Sequence, residues 1–263
     1  MDLARQAFLL ELEDRVVGAW PADETLNLKG WLARRSGGPT HRGNSVSTLR
    51  LEPGTDVASL IEQTEAWYRE RGQAPQFQLG PCVAPGDLDE LLAAHGYRKE
   101  GGALFAAAAP ARVTASTSAP TQTRLAASPD ASWLSVAAGA SRFAATEHVF
   151  MGFLTRLGSR CAYATALDEH GRAIGAGLGI RSGEHLGIYA MFTLPEQRRQ
   201  GAAAAVLGAF AEHALGADIR ELYLLVGEDN VAARALYAKS GFADVYSYHY
   251  RVIGARSTSP SGG

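Results

Sequence analysis

Two rhythms of apolar and polar positions run along this chain. Helical spacing recurs in "DVASLIEQTEAWYRERG", "DLDELLAAHGYRK", "RFAATEHVFMGFL", "GAAAAVLGAFAEHALG" and "NVAARALYAKSGFAD". The opening "MDLARQAFLLELEDRVVGAW" is a further amphipathic helix. Strand patterns fall in "PQFQLG", "CAYATALD", "IGAGLGIR", "HLGIYAMFTL", "ELYLLV" and the closing "ADVYSYHYRVI", where aromatic and polar residues alternate. The turn-forming "EHGRA" and "SGEH" separate three of these strands and predict an antiparallel meander. The C-terminal half then reads strand, helix, three strands, helix, strand, helix, strand, which is a mixed α/β sheet.

The halves echo each other. Helix, strand and helix ending in a Gly-aromatic pair occur in the same order twice, and Gly96-Tyr97 and Gly241-Phe242 are 145 residues apart. Between them "AAAAPARVTASTSAPTQTRLAASPDAS" is rich in small and turn-forming residues, and the domain boundary is placed there. Val113 and Leu125 sit in interleaved stretches that could still be strand. The expected domains are residues 1–112 and 120–253, with 254–263, "GARSTSPSGG", as a disordered tail.

Composition narrows the class without naming it. At 263 residues, 46% hydrophobic and 20% charged with a net charge of -2, the chain is long enough for two ordinary globular domains. No basic surface advertises nucleic acid. Cys82 and Cys161 lack metal or disulfide spacing, and the seven histidines form no HExxH-like cluster, so no metal is expected. No run reaches the roughly 18 apolar residues of a membrane span. The N-terminal helix lacks a basic leader region, so the expectation is a cytoplasmic protein.

The chemistry concentrates at "LPEQRRQGAAAAVLGAF". A strand ends at Pro195, a short loop follows, and Gly201 opens a helix of alanines. The first N–H groups of such a helix have no internal partner and carry the positive end of its dipole, so an anion is the natural ligand. Gly201, Ala202, Ala203 and Ala204 would let a diphosphate approach the backbone, while Arg198 and Arg199 supply charge. The same residues could equally be a solvated loop and a close helix-to-sheet contact. The spacing GxGxG of Gly175, Gly177 and Gly179 is not a dinucleotide fingerprint and reads as thinning one strand face.

Arg198-Arg199-Gln200-Gly201-Ala202-Ala203, preceded by "YAMFTLPEQ" and followed by "EDNVAARALYAKSGF", resembles the coenzyme-binding core of the GNAT superfamily of N-acetyltransferases over roughly residues 120–253. The family pattern is Q/R-x-x-G-x-G/A with N-x-x-A-x-x-L-Y-x-x-x-G-F downstream. The resemblance implies a GNAT-like acyl-CoA N-acyltransferase fold with acetyl-CoA as co-substrate and a primary amine of a small molecule, amino acid or peptide as acceptor. It implies that amides from Arg199 through Ala204, with Arg198, hold the diphosphate. Met191, Phe192 and Thr193 would pair with the pantetheine arm, beside Asn230 and Ala233. Tyr237 would protonate the departing thiolate. Ala203 stands where many members have a second glycine, which the pattern permits. The base is not singled out. Glu147 is placed first, before His148 and Tyr189, and each has a plain structural reading as well.

By the same resemblance the N-terminal half is a degenerate tandem copy. No RxxGxG/A precedes its helix at "DVASLIEQ", so no second coenzyme site is expected there. The polar "RRSGGPTHRGNSVSTL" reads either as a solvated loop or as a segment that binds an anionic group or lines the acceptor cleft. An acyl-CoA-binding regulator without turnover, and an enzyme for longer acyl chains, are the rival readings. The strand "VYSYHYRVI" offers an edge for pairing two copies.

Overall fold

The computed structural model describes residues 2–117, 121–139, 141 and 143–254. Of the tail expected at 254–263, residues 255–263 lie outside the described residues. The chain divides into two compact units: one holds Met1–Ala103 with the chain from Tyr246, the other Leu104–Val245.

The first unit begins with α1 (Leu3–Ala19), whose first turn is capped by Asp2 Oδ1 accepting from Arg5 N at 2.7 Å. There follow β1 (Glu24–Leu28), β2 (Trp31–Arg35), β3 (Val46–Ser47), α2 (Val57–Arg69), β4 (Gln76–Leu79), α3 (Leu88–Ala94) and β5 (Arg98–Ala108). In the second unit come α4 (Pro110–Ser116), β6 (Gln122–Ala126), α5 (Ala131–Ala137), α6 (Glu147–Leu157), β7 (Cys161–Leu167), β8 (Ala173–Ser182) and β9 (His185–Thr193). After these come α7 (Ala202–Leu215), β10 (Glu221–Gly227), α8 (Val231–Lys239) and β11 (Ala243–Val252).

In the first unit the strand order is β1-β2-β3-β4-β11. The pairs β1–β2, β2–β3 and β4–β11 are antiparallel, whereas β3 and β4 run parallel with α2 as the crossover between them. In the second unit the order is β5-β10-β9-β8-β7-β6. Strands β6 to β9 form the antiparallel meander, and β9 and β10 run parallel with α7 as crossover. Both units are therefore mixed α/β, as the pattern predicts. Each has its own core. One gathers Trp31, Leu60, Tyr68, Phe77, Leu88 and Leu92; the other gathers Val206, Leu207, Phe210, Leu222 and Leu224 around β7 to β10.

The echo is also visible in detail. α3 and α8 end in the same way: Tyr97 N donates to Leu92 O at 2.9 Å and Phe242 N to Tyr237 O at 3.0 Å, the six-to-one bond of a Schellman cap. The predicted boundary at 112–120 compares with passages between units inside β5, at Ala103–Leu104, and inside β11, at Val245–Tyr246. The alanines after Leu104 are not linker: Ala106, Ala108 and Val113 all join the second core. Leu125 is in β6 as the pattern allowed, whereas Val113 is in helix α4, which Pro110 starts at a position where its missing N–H costs nothing.

Candidate active site

Strand β9 is built to part from its neighbour. Its parallel pairing with β10 ends at Ile188 opposite Leu224, so Tyr189 to Thr193 run on beyond the register. On its other side the ladder with β8 slips by one residue. Phe192 faces Ala176 and Tyr189 faces Leu178, so Ala190 and Met191 together oppose Gly177. That is a β-bulge, and Ala190 takes a φ of 47°, rare for a residue with a Cβ. A bulge bends the strand and increases its twist, and Met191, Phe192 and Thr193 lie past it, beyond the last pair that β9 makes with β10. All three are half-buried.

Two residues hold this distortion. A Cβ on Gly177 would lie 2.6 Å from Val206 Cγ1 and 2.8 Å from Met191 Sδ, so only glycine lets α7 and Met191 pack there. Trp133 Nε1 donates to Gly177 O at 2.9 Å and so provides the partner that the disrupted ladder withholds. Trp133 is in turn fixed by α5, whose N-cap Asp130 accepts from Trp133 N at 2.8 Å, and by stacking on Phe150 of α6 at 6.1 Å between ring centroids. Gly175 and Gly179 repeat the pattern against Ala202 and Phe210, so the GxGxG run thins the strand face that receives α7.

After β9 the single turn Pro195–Gln197 leads into a loop with alternate residues in the left-handed region, Arg199 at φ 65° and Gly201 at φ 89°. Such a backbone points successive N–H groups into one concavity that accepts an anion. Gly201 is also the N-cap of α7 and brings no capping side chain, whereas α1, α2, α5 and α8 are capped by Asp2, Asp56, Asp130 and Asn230. The positive end of α7 is thus left open beside two exposed cations, Arg198 and Arg199. Gln200 is exposed; its carbonyl accepts from Thr121 Oγ1 at 3.2 Å, which ties the loop to the chain ahead of β6. Ala202 is buried, and Ala203 and Ala204 are half-buried.

Asn230 caps α8 by accepting from Ala233 N at 3.1 Å, which commits its oxygen and leaves its amide N–H groups as donors. Ala233, Leu236 and Tyr237 form the half-buried face of that helix, and none of its residues is fully buried. The Tyr237 ring packs at 6.0 Å against Phe242, and burial pushes its phenol up to about 12. The phenol therefore stays protonated through the neutral range. Glu147 is the exposed first residue of α6 and His148 the exposed second. Tyr189 is buried, its hydroxyl donating to that of Tyr223 at 3.2 Å, which makes it part of the wall between β9 and β10. The cysteines are buried free thiols, pushed above their ordinary range by burial.

Sequence reasoning found the loop and both helices of this arrangement but missed the bulge at Ala190 and the support from Trp133. An alanine with positive φ leaves no signature, and Gly177 was the one visible trace of the close approach.

Residues 8–251 match the family model described as "Probable histone acetyltransferase Rv0428c C-terminal". The uncharacterized N-acetyltransferase YobR of Bacillus subtilis (strain 168) is 23% identical over 245 residues, covering 92% of this chain and 97% of that protein. Among solved structures, a GCN5-related N-acetyltransferase from Kribbella flavida superposes with a TM-score of 0.66 at 13% identity over 97% of each chain. A tandem GNAT protein from the clavulanic acid biosynthesis pathway gives 0.64 at 15% identity, over 85% of this chain and 78% of its own.

Proposed function

The chain belongs to the acetyltransferase family of that model and has the GNAT fold, and from this premise we propose that it moves the acetyl group of acetyl-CoA to a primary amine in a ternary complex. The acceptor is a small molecule, an amino acid or a peptide end. The observation that carries the reading is the uncapped start of α7, with Arg199 and Gly201 both left-handed, directly after a bulged strand that leaves its parallel neighbour.

In this reading the amides from Arg199 to Ala204 bind the diphosphate, with Arg198 and Arg199 adding charge. The freed edge at Met191, Phe192 and Thr193 pairs with the pantetheine amides as an added strand would, and one of its N–H groups polarises the acetyl carbonyl. Asn230 donates its amide to the same arm, and the small Ala233 leaves room for it. Bound acetyl-CoA supplies the activated acyl thioester. Tyr237 gives its proton to the departing thiolate, and Glu147 accepts the proton of the incoming ammonium, directly or through water. The first unit is a degenerate tandem copy of the second. A cytoplasmic setting belongs to the same proposal, whereas the pairing of two copies expected through "VYSYHYRVI" does not, because β11 lies between β4 and β5 in the strand order and has no free edge.

Calorimetric titration with acetyl-CoA tests it, on the intact chain and on Gly201→Glu, which places a side chain and a negative charge at a left-handed anion-binding position. Saturable binding that the variant loses, followed by turnover with a panel of amines, is the expected result. Binding without turnover on any amine would favour a coenzyme-sensing regulator. Unchanged binding by a folded Gly201→Glu would remove the diphosphate site from this loop.

A further inference from the structure

The polar stretch after β2 is not a solvated loop. Gly43 to Thr48 are buried, and the segment delivers two arginines to one place in the first unit. Arg34, on β2, is 2% exposed. Its Nε donates to Ser45 O at 3.3 Å, and its Nη2 donates to Ser45 Oγ at 3.1 Å and Gln78 Oε1 at 3.3 Å. Its Nη1 is buried with no hydrogen-bond partner. Among the described residues no carboxylate forms an ion pair with Arg34.

The neighbours deepen the imbalance. The ionisable groups acting on Arg34 are the phenols of Tyr250, Tyr68 and Tyr248 and a second cation, Arg42. Leu32, Ser47, Gln78 and Tyr250 lie in one row of register across β2, β3, β4 and β11, so the polar members share a sheet face with Arg34. Burial lowers the guanidinium's pKa, yet an arginine stays charged in any protein interior. A buried cation facing another cation, with neutral hydroxyls for company, is expensive unless an anion completes it. The nearby carboxylate Glu100 is engaged by Arg98 at 2.7 Å and reaches toward His41 at 4.0 Å. Half-buried Arg42, held over the Trp20 ring at 5.3 Å, and half-buried His41, stacked on Tyr250 at 4.9 Å, keep the cluster within reach of solvent.

We propose that this face of the first unit binds a compact anionic group, a carboxylate or phosphate of a small ligand, through Arg34 Nη1 and the Arg42 guanidinium. It uses none of the residues of the loop before α7, and its fate does not depend on that of the acetyltransferase reading. The Tyr68 hydroxyl already donates to Arg34 O at 2.7 Å and Tyr248 and Tyr250 share a hydrogen bond, so one oxygen of the anion meets Arg34 Nη1 while others meet Arg42.

The test uses the full chain carrying Gly201→Glu, so that the loop before α7 gives no anion signal. Inorganic phosphate and succinate are titrated separately by calorimetry at constant ionic strength, with chloride as the reference. Saturable binding of one of them is expected, and which arm responds identifies the anion. Arg34→Met and Arg42→Gln should each weaken it at least about tenfold. Absence of saturable binding of both anions overturns the proposal, as does binding that neither variant changes. If Arg34→Met does not fold, Arg42→Gln decides alone.

Discussion

At the scale of single residues, a half-buried phenol and a buried carboxyl carry predictions of opposite kind. Tyr237 is half-buried and packs its ring against Phe242, so Tyr237→Phe keeps the packing and removes only the hydroxyl. If the phenol is the acid, kcat falls by roughly 10²-fold or more while the KM for acetyl-CoA and the unfolding midpoint hold. An unchanged kcat in steady-state assays would leave Tyr237 as core alone. Glu13, on α1, is 2% exposed and accepts from Cys82 N at 3.4 Å, while the Gly80 backbone packs directly against its carboxyl. Burial, opposed by the Cys82 bond and reinforced by Asp14, raises its pKa from 4.5 to about 7. The folded state therefore holds a proton that the unfolded state has released between these values, and stability falls as pH rises through that window. The loss is on the order of 3 kcal/mol once pH passes 7. Glu13→Gln should abolish that slope and stabilise the protein at pH 8, as read from urea midpoints across pH; an unaltered slope would assign the titration elsewhere.

At the scale of elements, the bulge in β9 is a joint product of a strand, two helices and a turn. Trp133→Phe keeps an aromatic ring between Phe150 and Tyr163 but removes the donor to Gly177 O. A buried carbonyl left without a partner costs about 1–3 kcal/mol. The variant should unfold at correspondingly lower denaturant and bind acetyl-CoA more weakly, because the freed edge at Met191 to Thr193 is no longer held. A loss of stability with unchanged binding would separate the bulge from the site. The same elements explain what the sequence carried. α2, α7, α8 and the meander were legible because each buries one face at a fixed period. Gly201 was legible because a helix start without a capping side chain is visible in the residue types. β1, β2 and β3 were not, since short strands with Arg34, Arg35 and Ser47 among them lack an apolar stripe. β5 and α4 were misread as linker because alanines that pack in a sheet look like alanines in a loop. Trp133 and Ala190 act only through tertiary contacts, and no local pattern announces those.

At the scale of the whole molecule, the consequential feature is that the first unit is not a continuous stretch of chain. Its strand β4 pairs antiparallel with β11 from Gln76 opposite Val252 to Leu79 opposite His249. Asp89 of α3 accepts from Arg251 Nε at 2.7 Å and lies 2.9 Å from His249 Nε2, and these bonds hold its carboxyl down at about 2. Arg98 Nη1 reaches Gly254 O at 2.6 Å, and Tyr248 and Tyr250 are buried. A fragment ending at residue 112, where composition alone would cut, therefore lacks a strand, a charge clamp and two core aromatics. An unpaired β4 would expose an apolar edge suited to aggregation. That fragment should show no cooperative unfolding transition, whereas the same fragment joined through a Gly/Ser linker to residues 244–254 should regain one. Cooperative melting of the bare fragment would mean that the apolar packing around Trp31 and Phe77 suffices, and that β11 is dispensable to the first unit. Its failure, with rescue by the added strand, would mean that the first unit becomes a cooperative fold only when β11, more than 130 residues further along the chain, is there to pair with β4.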